Sequence, residues 1–185
     1  MFNQSKNSKV LISMRTLSES FIQLLNAHSF DEITIKDVCE RSGYSRKTFY
    51  RNFETKEDLF DYYIYQFLDI NDIDEVKNQS VREYMHFFFS VFENEKMLLK
   101  VCFKNNLYFL FFKRLYISIS DVLIKENNPY YMNMTITKEY YLKVLIAEIV
   151  EMLEVWTDRN FKETVNELVD VYIQMSNRTI RELSK

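Results

Sequence analysis

Glycine and proline are almost absent from this sequence. Its 185 residues include one glycine, Gly43, and one proline, Pro129. Hairpin turns and strand bulges depend on these two residue types, whereas leucine, glutamate, lysine and methionine at helical spacing favour helices. The sequence therefore predicts an all-α fold, and 47% apolar residues are enough to give that fold a core.

The single glycine lies between two short amphipathic segments. Thr34 and Asp37 form a capping-box pattern that predicts a helix ending at Ser42 and Gly43. Ser45 can cap the next helix, in which Phe49 and Phe53 share one face. Glycine adopts a positive φ without a Cβ clash, so it suits the turn between two such helices. This pattern is typical of a helix-turn-helix, and it indicates double-stranded DNA as the partner.

Apolar periodicity and capping residues predict the other helices. Thr55, Ser80, Asn94, Thr137 and Thr164 are expected to begin helices, and Asn160 is expected to end one in a left-handed conformation. Beyond the helix-turn-helix, the predicted helices cover about residues 8–27, 56–67, 81–92, 95–103, 107–125, 138–156 and 165–181. The acidic stretch 69–79 is a candidate connector, and 126–137 a candidate loop. We expect a DNA-binding domain over residues 1–68 and an effector-binding and dimerisation domain over residues 69–185.

Positive charge is concentrated on the helix-turn-helix although the whole chain has a net charge of −3. The segment from Arg41 to Lys56 contains five basic residues and only one acidic residue, Glu54. If Phe49 and Phe53 are buried, Arg46 and Lys47 point outwards and can donate to guanine O6 and N7 in a major groove. Ser45 and Thr48 suit bases or phosphates, and Thr34, Tyr50, Asn52 and Lys56 suit phosphates. The predicted DNA-binding residues are Thr34, Ser45, Arg46, Lys47, Thr48, Tyr50, Arg51, Asn52 and Lys56, and a merely solvated helix face is the alternative for each basic one.

The segments Ile33–Val38 and Ser42–Leu59 resemble the signature of the tetracycline-repressor (TetR) family of bacterial regulators. The resemblance covers roughly residues 8–67. It implies that Tyr50 and Lys56 touch phosphate and that residues 46–48 approach bases. Lys47 stands where the family often has glycine, and Asn52 where it often has tyrosine or histidine, which puts one phosphate contact in doubt. The segment 156–164 resembles a subgroup similar to the coactivator of the dihydroxyacetone kinase operon, which permits a protein effector instead of a small molecule.

The segment 138–156 is apolar on more than one helical face, so more than one neighbour must cover it. We expect it to form a four-helix dimer interface with the last helix, as the family resemblance also implies. Predicted interface residues are Leu145, Ile149, Met152, Trp156, Val169 and Tyr172. A symmetric dimer holds its two reading helices about 34 Å apart, so its DNA site should be a near-palindrome. The predicted function is a homodimeric repressor released by an effector, and the alternative is an activator or architectural DNA-binding protein controlled by a protein partner.

Aromatic residues crowd the segment 87–116 and allow two interpretations. One is a pocket for an apolar or aromatic effector, and the other is an ordinary hydrophobic core. The residues that would line such a pocket are Phe88, Phe92, Phe103, Phe109, Phe112 and Tyr116.

Catalysis and membrane insertion find little support in the sequence. Glu83-x-x-His86 is one Glu-x-x-His motif, whereas a di-iron bundle site needs two such motifs and two more glutamates. Cys39 and Cys102 show no zinc spacing with the two histidines. The polar first residues lack the apolar core of a signal peptide, and no apolar stretch reaches the roughly 18 residues of a membrane span. We expect a cytoplasmic protein without enzymatic activity, metal, cofactor or membrane partner.

Overall fold

The computed structural model describes residues 2, 7–68, 80–125 and 137–183, and these residues form helices without strands. The all-α prediction is confirmed. The candidate connector at 69–79 and the candidate loop around Pro129 lie outside the described residues. The described helices are α1 (Ser8–Ala27), α2 (Ile35–Ser42), α3 (Arg46–Asn52), α4 (Lys56–Phe67), α5 (Val81–Glu93), α6 (Lys96–Lys104), α7 (Tyr108–Lys125), α8 (Thr137–Asp158) and α9 (Val165–Leu183).

Side chains just before the helices determine where several of them begin. Capping boxes at Thr34, Thr55 and Ser80 are confirmed, and the Thr164 backbone N–H and hydroxyl both donate to the Glu167 carboxylate. The prediction that Asn94 begins a helix is wrong. Its side-chain amide donates to the Ser90 carbonyl, so Asn94 belongs to the end of α5, and α6 begins after Glu95.

Helices α2, α3 and α4 pack around α1. Helix α1 contacts α2, α3 and α4, and its buried side chains include Met14, Leu17, Phe21 and Leu25. Three buried serines of α1, at positions 13, 18 and 20, add little volume and suit close helix packing. This arrangement holds the short helix α3 at the surface, packed against the longer helix α1.

Helix α4 joins the first helices to the rest of the chain. The Arg114 guanidinium of α7 donates to both carboxylate oxygens of Asp61 in a largely buried ion pair. The Tyr63 hydroxyl donates to the Glu95 carboxylate at 3.2 Å. Burial and the nearby Glu95 charge raise the pKa of Tyr63 to about 12, so this hydroxyl keeps its proton at neutral pH. Buried apolar residues form one cluster from α1 to α9.

The second region, helices α5 to α9, is held together by two sets of contacts. Helix α5 packs against α9, and α8 packs against α6 and α7. Between α8 and α9, Asn160 and Phe161 have φ angles of 55° and 58°, which confirms the predicted left-handed stop at Asn160. The buried indole of Trp156 donates to the Glu163 carbonyl at 2.9 Å and meets the Phe161 ring edge-on. Trp156 therefore holds the turn between the last two helices closed.

Candidate DNA interface

The turn between α2 and α3 requires its glycine. Gly43 caps the end of α2 with φ 74°, a left-handed conformation that strains any residue with a Cβ. No heavy atom lies within 4 Å of the position that a Cβ would occupy. The requirement is therefore conformational and not steric. Two residues later Ser45 caps α3, because its hydroxyl oxygen accepts the Thr48 backbone N–H at 3.2 Å.

Substitution at Gly43 should separate backbone strain from crowding. We expect Gly43→Ala to lower the free energy of unfolding by about 1–2 kcal/mol, the cost of the left-handed conformation for a residue with a Cβ. Gly43→Asn should cost less, because asparagine tolerates this conformation. Urea denaturation of the three proteins measures the difference. Equal losses for alanine and asparagine would contradict an origin in φ.

Helix α3 has one buried face and one basic face. Phe49 is fully buried and its ring packs against Phe53, which in turn meets Tyr62 of α4. The opposite face exposes Arg46, Lys47, Tyr50 and Arg51. Among the described residues, no carboxylate lies within the 4.0 Å ion-pair distance of the three basic side chains. Their positive charge is therefore available to an external anion such as DNA phosphate.

Two of the three predicted hydroxyl contacts, Thr34 and Ser45, serve first as helix caps. The Thr34 hydroxyl donates to the Asp37 carboxylate at 2.6 Å, and hydrogen bonds from the Thr34 hydroxyl and backbone N–H hold the pKa of Asp37 below its usual value. The Ser45 and Thr48 hydroxyl oxygens lie 3.1 Å apart. Thr34 and Ser45 are nevertheless exposed, so both lie on the surface that presents α3.

Asn52 does not lie on the exposed face with the other predicted contacts. It is 2% exposed, and its side-chain amide donates to the Ser13 hydroxyl of α1 and to the Thr48 carbonyl. The prediction of a phosphate contact is therefore corrected: Asn52 holds the end of α3 against α1. Its position one residue before the buried Phe53 gave no sign of this, because only the tertiary packing brings Ser13 within reach.

Lys56 is also held within the protein. Its ammonium donates to the Phe30 carbonyl at 2.5 Å and the Ile33 carbonyl at 3.1 Å, and it lies 4.2 Å from the centre of the Phe30 ring. Two of its three donors are thus used to hold the segment between α1 and α2. A contact between Lys56 and phosphate would have to use the remaining donor.

A shallow open groove runs between α2 and the start of α3. It is lined by Lys36, Cys39, Glu40, Gly43, Tyr44, Ser45 and Arg46. Burial raises the pKa of the Cys39 thiol, so this side chain contributes volume and no charge. Lys36 is exposed, lines the same groove as Arg46 and pairs with Glu40 at 3.5 Å, and it was not among the predicted DNA-binding residues. Its position two residues after the predicted cap Thr34 was the available signal.

The helix-turn-helix of this chain matches a known family of proteins. Residues 22–63, which contain the helix-turn-helix, match the model of the bacterial regulatory proteins of the TetR family. This DNA-binding unit belongs to the TetR family of bacterial regulatory proteins. No curated protein sequence matches the chain closely enough to count as a relative.

Several solved structures share this fold. Lin0861 from Listeria innocua has a TM-score of 0.77 at 16% identity, and the match covers 96% of this chain and 97% of that one. A TetR transcriptional regulator from Streptococcus agalactiae 2603V has a TM-score of 0.58 at 20% identity, covering 90% and 94%. The dihydroxyacetone kinase operon activator DhaS has a TM-score of 0.52 at 18% identity, covering 94% and 97%. At these identities the likeness establishes the TetR fold.

The aromatic residues predicted to line an effector pocket differ widely in burial. Phe92 is fully buried, and its ring contacts those of Phe67, Phe88 and Phe111 at centroid distances of 5.0–5.7 Å. Phe103, Phe112 and Tyr116 are half-buried. Phe109 is 71% exposed, so it does not line an interior site with the others. This correction follows from its place on α7, where the opposite face carries the buried Phe111 and Leu115.

Four of the six residues predicted to form the dimer interface are instead covered within the protomer. Ile149, Trp156, Val169 and Tyr172 are buried within the protomer, and Leu145 and Met152 are half-buried. Among the side chains that the structure describes in α8 and α9, the large apolar ones that are exposed are Tyr140, Tyr141, Val144, Val155, Val171 and Met175. Apolar periodicity reveals that a helix has several apolar faces, but it does not reveal which face the protomer covers itself.

None of the described helices combines the length and the hydropathy that crossing a membrane requires.

Proposed function

We propose that this TetR-family regulator is a homodimeric repressor that binds a near-palindromic operator and is released by an effector. The observation that carries the proposal is the division of α3 into a buried aromatic face and an exposed basic face. A helix with this division can lie in a major groove while its aromatic side chains keep it attached to the domain. The assignment of DNA binding to residues 1–68, and of effector binding and dimerisation to residues 69–185, is part of the same proposal.

Exposure and chemistry support different roles along α3. Arg46 and Lys47 lie in the first turn of α3 and suit base edges, because both donate to guanine O6 and N7. Tyr50 and Arg51 lie one turn later and suit phosphates on either side of the groove. Thr34 and Lys36 at the start of α2 suit phosphate as well. Ser45 lines the groove between α2 and α3, and the Thr48 hydroxyl lies 3.1 Å from the Ser45 hydroxyl.

Release by an effector needs two states with different affinities for DNA. An effector shifts the population only if it binds the DNA-incompetent state more tightly than the competent one. The half-buried aromatic side chains Phe103, Phe112 and Tyr116 support a site for an apolar small molecule beside the buried core. A protein effector would instead use the surface of the second region.

Selection of bound sequences from random duplex DNA tests the function directly. The expected product is a near-palindrome whose half-sites are centred about one helical turn, or 34 Å, apart. A reporter placed behind that sequence should be lowered when the protein is expressed. A selected sequence with one half-site contradicts the dimer, and a raised reporter would make the protein an activator. Failure to bind any duplex at low ionic strength contradicts the proposal as a whole.

Two substitutions on α3 should have different effects on DNA binding. Arg46→Ala should cost about 1–3 kcal/mol on the selected operator and relax the preference at one base position. Tyr50→Phe removes one hydroxyl and keeps the ring that packs edge-on against Phe49. It should therefore weaken all duplexes to a similar extent and leave the base preference unchanged. Titrations of operator and scrambled duplex at one salt concentration measure both effects, and a uniform loss in Arg46→Ala would contradict its assignment to bases.

A further inference from the structure

The C-terminal end of α1 is completed by α6. The last carbonyls of a helix have no partner within that helix and must be satisfied from outside. The Asn105 side-chain amide, at the end of α6, donates to the Leu25 carbonyl of α1 at 3.4 Å. The Lys104 ammonium donates to the Asn26 carbonyl, also at 3.4 Å. Helix α6 thus caps a helix that lies about 80 residues earlier in the chain.

Asn105 also holds the backbone that follows α1. Its side-chain oxygen accepts the Phe30 N–H at 2.8 Å, while its amide nitrogen donates to the Val101 carbonyl at 2.8 Å. Reversing the amide would place a donor against the Phe30 N–H and an oxygen against two carbonyls. The hydrogen bonds therefore define the orientation of this side chain.

The segment from Ser29 to Ile33 is held from two sides. Asn105 of α6 binds the Phe30 N–H, and Lys56 of α4 binds the Phe30 and Ile33 carbonyls. The next residue along the chain is Thr34, which caps α2. The start of α2 is therefore separated from the Asn105 contact by only a few residues of restrained backbone.

We propose that Asn105 is a positioning residue for the DNA interface, acting through the Phe30 backbone on the start of α2. A displacement of α6 is passed by this contact to Thr34 and Lys36. The proposal rests on the proposed function, because its consequence for the cell is a change in DNA affinity. Its structural part, the restraint on α2, is measurable without DNA.

Three variants test the proposal. Asn105→Leu removes both hydrogen-bonding functions at similar volume, and Asn105→Asp keeps the oxygen that accepts the Phe30 N–H. The control is Ile149→Val, a buried site in α8, which packs mainly against α6 and α7, and the substitution also lowers stability modestly. Backbone amide exchange over residues 29–38 and affinity for the selected operator are measured at a temperature where all variants are folded.

Asn105→Leu should exchange about tenfold faster over residues 29–38 and bind the operator about tenfold more weakly, the effect expected for losing the partly buried hydrogen bonds of Asn105 to the end of α1 and to Phe30. Asn105→Asp should lie between Asn105→Leu and the unchanged protein, and Ile149→Val should leave both quantities unaltered. Exchange and affinity in Asn105→Leu equal to those in Ile149→Val would overturn the proposal. If the unchanged protein bound no duplex, the proposed function would fail, while the exchange result would still decide whether Asn105 restrains α2.

Discussion

Replacing Phe92 with alanine should lower the free energy of unfolding by about 3–5 kcal/mol. The Phe92 ring is fully buried and connects α4, α5 and α7 through Phe67, Phe88 and Phe111. Its removal leaves a cavity at the place where the first helices join the second region. Chemical denaturation measures the loss, and thermal unfolding should fall by roughly 10 °C for a chain of this size.

The matched control for Phe92→Ala is Phe109→Ala. Both residues belong to the aromatic set that the sequence associates with an effector, but Phe109 is 71% exposed. Its replacement should change the free energy of unfolding by less than about 0.5 kcal/mol. If Phe92→Ala were as mild as Phe109→Ala, the Phe92 ring would line an open pocket and not a packed core, and the effector site would have to be placed there.

Introducing glutamate at Val144 and Val155 together should convert the proposed dimer into monomers and weaken operator binding by about 100-fold or more. The two side chains are 57% and 56% exposed and lie eleven residues apart, on the same face of α8. A charge on this face costs little free energy in a monomer, where it stays in water, but it must be desolvated in a dimer interface. Because two linked reading helices bind one operator, the loss of the link removes an avidity of about 10²–10⁴. Light scattering gives the mass, and a titration with the selected operator gives the affinity.

Val81→Glu is the control for the charge itself. Val81 lies in the first turn of α5 and is 60% exposed, so it matches the two α8 positions in residue type and exposure. It should leave mass and affinity unchanged. Retention of the dimer in the double variant would exclude this face of α8 as the interface.

Much of the helix-turn-helix could be predicted from the sequence, because the sequence signals that define it are local. A capping box depends on residues three positions apart, the left-handed turn depends on one glycine, and the two faces of α3 depend on the spacing of Phe49 and Phe53. The same local reasoning located the left-handed stop at Asn160. It failed at Asn94, because a residue that can begin one helix can also end the one before it.

Other features depend on contacts between distant parts of the chain. Asn52 and Lys56 have the chemistry of phosphate ligands, yet Ser13 and the Phe30 carbonyl, which lie far away in sequence, engage them in the fold. A pattern of side chains cannot show these partners. Nothing in the sequence indicated the contacts of Asn105, because the carbonyl that it binds lies at the end of a helix about 80 residues earlier.

The sequence by itself determined the helical class, the limits of most described helices and the basic face of α3, since each follows from residue spacing within one or two helical turns. Only the tertiary structure decided which apolar faces of α8 and α9 the protomer buries, which phenylalanines form the core, and which polar side chains are used inside the molecule. The physical reason is that helical periodicity specifies the direction in which a side chain points along its own helix. The partner that it meets in that direction depends on how all the helices pack.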